Sequence, residues 1–173
     1  MRSKQLVFRT AKLADANDVL ELINTAYRAN QSWTDEAAWV DGNRLSIGVV
    51  RNFIRDTGSV MYVHQRNGVI IAVIHASVVA NEANITSLAV HPNFQKRGIG
   101  SAALDVIESS CRNKLGVTFM STSVLSPREE ALAYLTKRGF ELIDYQEAFP
   151  KHMKMGIPKS DNLKLSYLVK PLH

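Results

Sequence analysis

One cysteine, Cys111, is all that the 173-residue chain contains. No intrachain disulfide can form, so oxidation cannot staple the fold, and a reducing compartment is the expected setting. Long apolar runs are also missing. The richest, VIIAVIHASVVA at 69–80, is interrupted by His75 and Ser77 and falls short of the ~20 residues that span a bilayer. The opening MRSKQLVFRTAKLAD has no extended apolar core of the secretory kind, so no leader is expected. A cytoplasmic protein without membrane association is the expectation. The five histidines lack ligand spacing, which leaves no metal site to propose. Acidic residues are the minority, 16 against 21 lysines and arginines, for a formal charge of +5. That surplus favours anionic partners, but it is spread along the chain without interleaved aromatics, so a nucleic-acid-binding domain is disfavoured.

What is present suits one globular domain. The apolar fraction of 46% excludes disorder, and no repeat or linker divides residues 5–170. QLVFR (5–9) reads as a short strand. DANDVLELINTAYRAN has helical apolar spacing, with Asp15 as N-cap. WTDEAAWV and SIGVVRNFIRD read as two shorter helical pieces capped by Thr34 and Ser46. Asn67-Gly68, between two β-rich runs, predicts a tight hairpin turn with φ > 0 at both residues. The run after it is apolar on both faces and predicts a central strand.

ITSLAV reads as a strand, the segment from Ile99 as a helix, and VTFMSTSVL as another strand. In SPREEALAYLTKRGF, Ser126, Pro127 and Glu129 match a capping box, and Gly139 matches a left-handed helix end. FELIDY follows as a strand, then a basic loop, then the alternating LKLSYLVK, a half-exposed strand able to pair with a second copy if it lies at an edge. The predicted order is β-α-α-β-β-β-α-β-α-β-β, an α/β (α+β) mixed sheet with helices on its faces.

The stretch NFQKRGIGSAALDVIE places Gly98 and Gly100 at a helix start, directly after a strand. The first N–H groups of a helix have no carbonyl partner and carry partial positive charge. Removing Cβ atoms lets an anion approach them, and Lys96 and Arg97 add mobile charge, so the turn reads as a cradle for pyrophosphate. The alternative is a glycine pair that permits close packing. A Walker P-loop is absent, and so is the third glycine of a dinucleotide fingerprint.

The stretch LAVHPNFQKRGIGSAALDVIE resembles motif A of the GNAT family of N-acetyltransferases, Q/R-x-x-G-x-G/A, filled here by Gln95, Gly98 and Gly100. EEALAYLTKRGFE resembles the family's later helix, which ends in a glycine–aromatic pair, and the element order is similar to the GNAT fold from about Gln5 to Lys170. SWTDEAAWVDGNRL and LSYLVKPL look like a subgroup of small uncharacterised members. The resemblance implies a GNAT-like acyl-CoA N-acyltransferase fold. It also implies an N-acetyltransferase that uses acetyl-CoA as co-substrate and a small-molecule or peptide amine as acceptor, by direct transfer in a ternary complex. The backbone of Gln95, Lys96, Arg97, Gly98, Ile99, Gly100 and Ser101 would hold the pyrophosphate. Leu88, Ala89 and Val90 would splay from the next strand and pair with pantetheine, and an N–H near Ala89 or Val90 would face the thioester carbonyl. Arg128 stands where many members carry an asparagine that contacts pantetheine.

Acetyl transfer needs a neutral amine, a stabilised oxyanion and a protonated thiolate. Many members place a glutamate on the strand equivalent to NITSLAV, where this chain has Thr86 and Ser87. His75 is the candidate base, with a histidine hydrogen-bonded inside the sheet as the alternative. Glu82, at a turn, reads as solvated. The family pattern puts the acidic tyrosine at the position of Leu135. Tyr134 is one residue earlier, about 100° around the helix. Either Tyr134 reaches the sulfur by distortion, or water protonates it, or turnover is slow. Tyr134 is the candidate acid, and a half-buried packing role is its alternative.

Tyr27, Trp33 and Trp39 fall in the region that shapes the acceptor pocket in GNAT proteins, although such aromatics also serve as core. Cys111 reads as a packing residue, and the basic loop with Lys151, His152, Lys154 and Lys159 as solvated surface or a rim for an acidic acceptor. A non-catalytic acyl-CoA-binding module is the main rival to the enzyme. Monomer and homodimer both stay open.

Overall fold

A computed structural model describes residues 5–28 and 35–173. Its elements are β1 (Arg9–Thr10), α1 (Ala16–Arg28), β2 (Val40–Asp41), α2 (Ile47–Arg55), β3 (Ser59–Arg66), β4 (Val69–Val79), β5 (Glu82–Val90), α3 (Ile99–Lys114), β6 (Phe119–Leu125), α4 (Glu129–Lys137), β7 (Glu141–Ala148), β8 (Ile157–Pro158) and β9 (Lys164–Pro171). Seven strands form one mixed sheet in the order β1-β3-β4-β5-β6-β9-β7, while β2 and β8 pair separately. With β2 and β8 set aside, the element order is the one read from the sequence.

β4 is an interior strand, third of the seven, because it has apolar side chains for both faces. Ile70 to Ala76 are all buried. On one face Val73 and Ala89 pack with Val19, Ile23 and Ala26 of α1 and Val50 of α2. On the other, Ile74 and Ile85 pack with Leu104 and Ile107 of α3 and Met120 of β6. The Asn67-Gly68 turn joins β3 to β4 with φ of 52° and 79°, the left-handed pair that a tight hairpin requires.

The feature that positions the site is a defect in pairing. β5 lies antiparallel to β4, and the register jumps from His75↔Ser87 to Ala76↔Ile85, leaving Thr86 as an extra residue. Such a bulge bends the strand that carries it. β5 and β6 run parallel and pair only from Glu82↔Phe119 to Ile85↔Thr122. Beyond the bulge the two strands separate, and a cleft opens between them.

Several expectations are corrected. The first strand is Arg9–Thr10 rather than residues 5–9. Asp15 closes a 3-10 turn ahead of α1, where its carboxylate bonds Arg9 at 2.7 Å and the Lys12 N–H at 2.7 Å. In WTDEAAWV, Trp33 and Thr34 lie outside the described residues. The rest is no helix, since 37–39 form a turn and Val40–Asp41 pairs with Ile157–Pro158. Ser46 does cap α2, accepting from the Val49 N–H. The capping box of α4 is not formed. The Ser126 N–H continues the β6–β9 ladder to the Lys164 carbonyl (2.9 Å), which draws its hydroxyl to Ser166 Oγ (2.9 Å), and the helix starts after Arg128 instead. Finally, β9 is interior, paired on both sides, and the exposed edge at that end of the sheet is β7.

Candidate active site

The cleft between the diverging strands has a volume of about 440 Å³ and is bordered by the start of α3, by α4, and by the segment that links α1 to α2. Its floor at one end is the N-terminus of α3. The first intrahelical bond runs from the Ala102 N–H to the Gly98 carbonyl at 3.0 Å, so the N–H groups of Ile99, Gly100 and Ser101 have no acceptor within the helix. Among the described residues no side chain caps them, because the N-cap is Gly98 itself, at φ +81°. Lys96 is also left-handed, at φ 61°. A Cβ on Gly100 would sit 3.8 Å from both Tyr134 Oη and Val90 Cγ2, so any longer side chain there would grow into the cleft. The Gln95 amide donates to the Val90 carbonyl (2.9 Å) and ties this loop to the end of β5. Lys96 and Arg97 are exposed beside it.

The wall of β5 presents alternate backbone groups. Tyr27 Oη donates to the Leu88 carbonyl (2.8 Å) and accepts from the Leu88 N–H (3.1 Å). Leu88 therefore does not exchange bonds with β4. By the antiparallel alternation, Ala89 turns its polar groups to β4, and Val90 turns its own toward the cleft. The His91 N–H, bonded to the Ile71 carbonyl at 2.8 Å, keeps the same phase.

Tyr134 borders this space, with its hydroxyl 3.0 Å from Ser101 Oγ. The expectation that its register would turn it to another face is corrected. Both Tyr134 and Leu135 line the cleft, because its rim along α4 is wide enough for two consecutive residues. Arg128, 7% exposed, also lines it.

His75 is elsewhere. It is fully buried, stacked on Phe53 with ring centroids 3.9 Å apart. One ring nitrogen bonds Ser59 Oγ at 2.8 Å, and the other bonds Thr86 Oγ1 at 2.5 Å. Thr86 borders the cleft, and His75 lies behind it. Burial pushes its pKa down to about 4, with Asp56 opposing. The folded protein keeps this imidazole neutral, whereas the unfolded chain protonates it near 6.5. Stability is unaffected above that pH and declines as pH falls from 6.5 to about 4, by about 3 kcal/mol in all. Denaturant titrations across this range are expected to show the decline, and a shallower slope in His75→Gln.

One constellation was not foreseen. Glu36, 4% exposed, stands among three guanidiniums: Arg44 Nη1 at 2.9 Å, Arg28 Nη2 at 3.6 Å and Arg128 Nη1 at 3.6 Å. Arg44 also donates to the Thr86 carbonyl (2.9 Å) and lies 4.0 Å over the Tyr27 ring. Glu36, Arg44 and Arg128 border the cleft. The residues come from positions 28, 36, 44 and 128, and no local pattern joins them.

The remaining candidates lie apart. Trp39 packs with Val40, Leu125, Phe149 and Leu163. Cys111 is wholly buried in α3, its thiol pushed up to about 11 by burial, with Glu108 adding to the effect. Glu82 accepts from Ser121 Oγ at the closed end of the strand pair. Lys151 and Lys159 sit on the surface near Asp161 and Asp41. Among the described residues, no cluster of metal-ligating side chains occurs, and no helix is long and apolar enough to cross a membrane.

A family model described as "Acetyltransferase (GNAT) family" matches residues 16–140. No curated protein sequence matches the chain. Solved structures do. The ribosomal-protein-S18-alanine N-acetyltransferase from Escherichia coli superposes with a TM-score of 0.72 at 16% identity, over 96% of this chain and 94% of that one. An N-acetyltransferase from Staphylococcus aureus Mu50 gives 0.74 at 15% identity, over 96% and 97%. The PaiA N-acetyltransferase from Thermoplasma acidophilum, solved in complex with coenzyme A, gives 0.67 at 14% identity, over 97% and 99%.

Proposed function

The chain belongs to the acetyltransferase (GNAT) family, and on that premise we propose that it moves an acetyl group from acetyl-CoA to a primary amine by direct attack in a ternary complex. The observation that carries this reading is the set of uncapped N–H groups at Ile99, Gly100 and Ser101, opening onto the cleft between β5 and β6. The residues fit the group. The left-handed Gly98 and the bare Gly100 leave the amides open to a pyrophosphate, with Lys96 and Arg97 at the rim. Beyond the bulge no described strand pairs with the cleft side of β5, and an extended amide-bearing arm would meet the Val90 N–H there and would compete with Tyr27 for the polar groups of Leu88. When bound, acetyl-CoA supplies an acetyl group activated as a thioester.

This chain's own groups do the rest. The cleft-facing N–H of Val90, rather than that of Ala89, would donate to the carbonyl oxygen as negative charge develops there. Such a donor contributes about 3 kcal/mol. The Tyr134 hydroxyl would give a proton to the departing sulfur, and the proton shed by the attacking nitrogen would leave through water in the cleft, which returns one to the phenolate. His75, with both nitrogens engaged behind Thr86, would hold the bulge in shape rather than take the proton from the amine.

Calorimetry tests the premise. Acetyl-CoA should bind the wild type, and Gly98→Val should weaken binding at least tenfold. A β-branched residue costs about 1–2 kcal/mol or more in the left-handed region, and the turn must move to relieve it. The absence of heat with the wild type would sink the reading. A second reading, acyl-CoA binding without turnover, is favoured by one observation: neither Thr86 nor Ser87 offers a carboxylate at the bulge. Release of free thiol across a panel of amines separates the two.

A further inference from the structure

The charge on one wall of the cleft does not balance. Arg28, Arg44 and Arg128 surround a single carboxylate, Glu36. Asp35 adds a more distant attraction on Arg28, and residues 29–34, ANQSWT, carry no ionisable group. Glu130 also borders the cleft, but it is exposed to solvent and its carboxylate forms no ion pair with any of the three arginines. Three buried positive charges thus share one buried carboxylate, and the surplus lies where water is largely excluded. The side chains of Arg28, Glu36 and Arg128 are 7%, 5% and 8% exposed, and that of Arg44 11%.

The hydrogen-bonding count is short in the same place. Arg44 Nε and Ser87 Oγ are buried without a partner among the described residues, and both residues border the cleft. Arg28 Nε and Nη1 are also buried without a partner among the described residues. Arg128 meets Glu36 only at 3.6 Å, beyond an ordinary hydrogen bond. Burial is the largest influence on Arg28 and holds its pKa below the usual arginine value, while Glu36 opposes it. Buried donors and a buried surplus of charge each cost stability unless a ligand meets them.

We infer that the acceptor amine also carries a carboxylate, which docks on Arg44 and Arg128 with Ser87 in reach. The inference rests on the acetyltransferase reading and adds the substrate class: an α-amino acid or a short peptide with a free C-terminus. Planar guanidiniums match a carboxylate in two-point geometry. The other anion of the reaction, the pyrophosphate, is already served by the start of α3. The same surplus of positive charge disfavours polyamines and other multiply cationic acceptors.

The test uses the full chain at saturating acetyl-CoA, with thiol release as readout. Matched pairs are compared: amino acids with their amides, dipeptides with their C-terminal amides, and spermidine as the polycation. A carboxylate should raise kcat/KM about tenfold or more over the matched amide, mainly through KM. The better of the amino-acid and dipeptide arms identifies the source of the carboxylate. Arg128→Gln should bring the ratio near one, and Arg128→Lys should restore part of it. Equal use of acid and amide, or a preference for spermidine, overturns the inference while the acetyltransferase reading stands. Acetyl-CoA binding with no transfer to any carboxylate-bearing amine overturns it as well. If acetyl-CoA does not bind at all, both readings fall together.

Discussion

Tyr134→Phe is expected to lower kcat by about 10²-fold, the lower end of what a positioned general acid contributes, with acetyl-CoA affinity unchanged. The substitution removes one oxygen and keeps the ring. That oxygen lies in the cleft, 3.0 Å from Ser101 Oγ and close over Gly100 at the start of α3, where the thiolate leaving group of a ternary complex would need a proton. Ser101 is a half-buried hydroxyl open to the cleft, so water can replace its lost partner and the fold should hardly notice. Steady-state kinetics paired with acetyl-CoA calorimetry separates the two roles. A packing residue would leave kcat alone or would change affinity and turnover together. Unchanged turnover in a protein that still binds acetyl-CoA would remove Tyr134 from the chemistry and leave water as the proton donor.

That Tyr134 enters the cleft at all was not legible in its register. Counting residues on a helix assigns each a direction, but it does not give the width of what the helix faces. Tyr134 and Leu135, about 100° apart, both reach a cleft that runs along α4. Elements ruled by local chemistry were legible: the Asn67-Gly68 hairpin, Gly98 at φ +81° where α3 begins, and Gly139 at φ +92° where α4 ends. Those that failed were decided by partners far away in sequence. Ser126 had the right neighbours for a capping box, yet the β6–β9 ladder claimed its N–H and its hydroxyl turned to Ser166. Glu36 sat in what read as a helix, whereas its partners stand at 28, 44 and 128. His75 looked available as a base until the bulge placed Thr86 between it and the cleft.

The second large effect concerns stability. Glu36→Gln keeps the shape of the side chain and deletes its charge. Arg28, Arg44 and Arg128 then lose the one carboxylate that all three of them reach. Stranding buried charge in this way costs about 3–5 kcal/mol. For a chain of this length that corresponds to a fall in Tm of roughly 10 °C. Arg44 transmits the loss, since it bridges Glu36 to the Thr86 carbonyl at the bulge and stacks on Tyr27. Adding Arg128→Gln to Glu36→Gln should recover part of the stability, because it removes one of the stranded charges, and a double-mutant cycle measures that coupling.

The same variant joins stability to ligand chemistry. If the wall holds a carboxylate, millimolar N-acetylated amino acid should raise the Tm of Glu36→Gln more than that of the wild type, and the matching amide should raise neither. A carboxylate would then be standing where Glu36 had balanced the arginines. Equal shifts with acid and amide would mean that the arginines serve only the loop they hold. A Glu36→Gln protein as stable as the wild type would mean that the three guanidiniums are already satisfied by solvent.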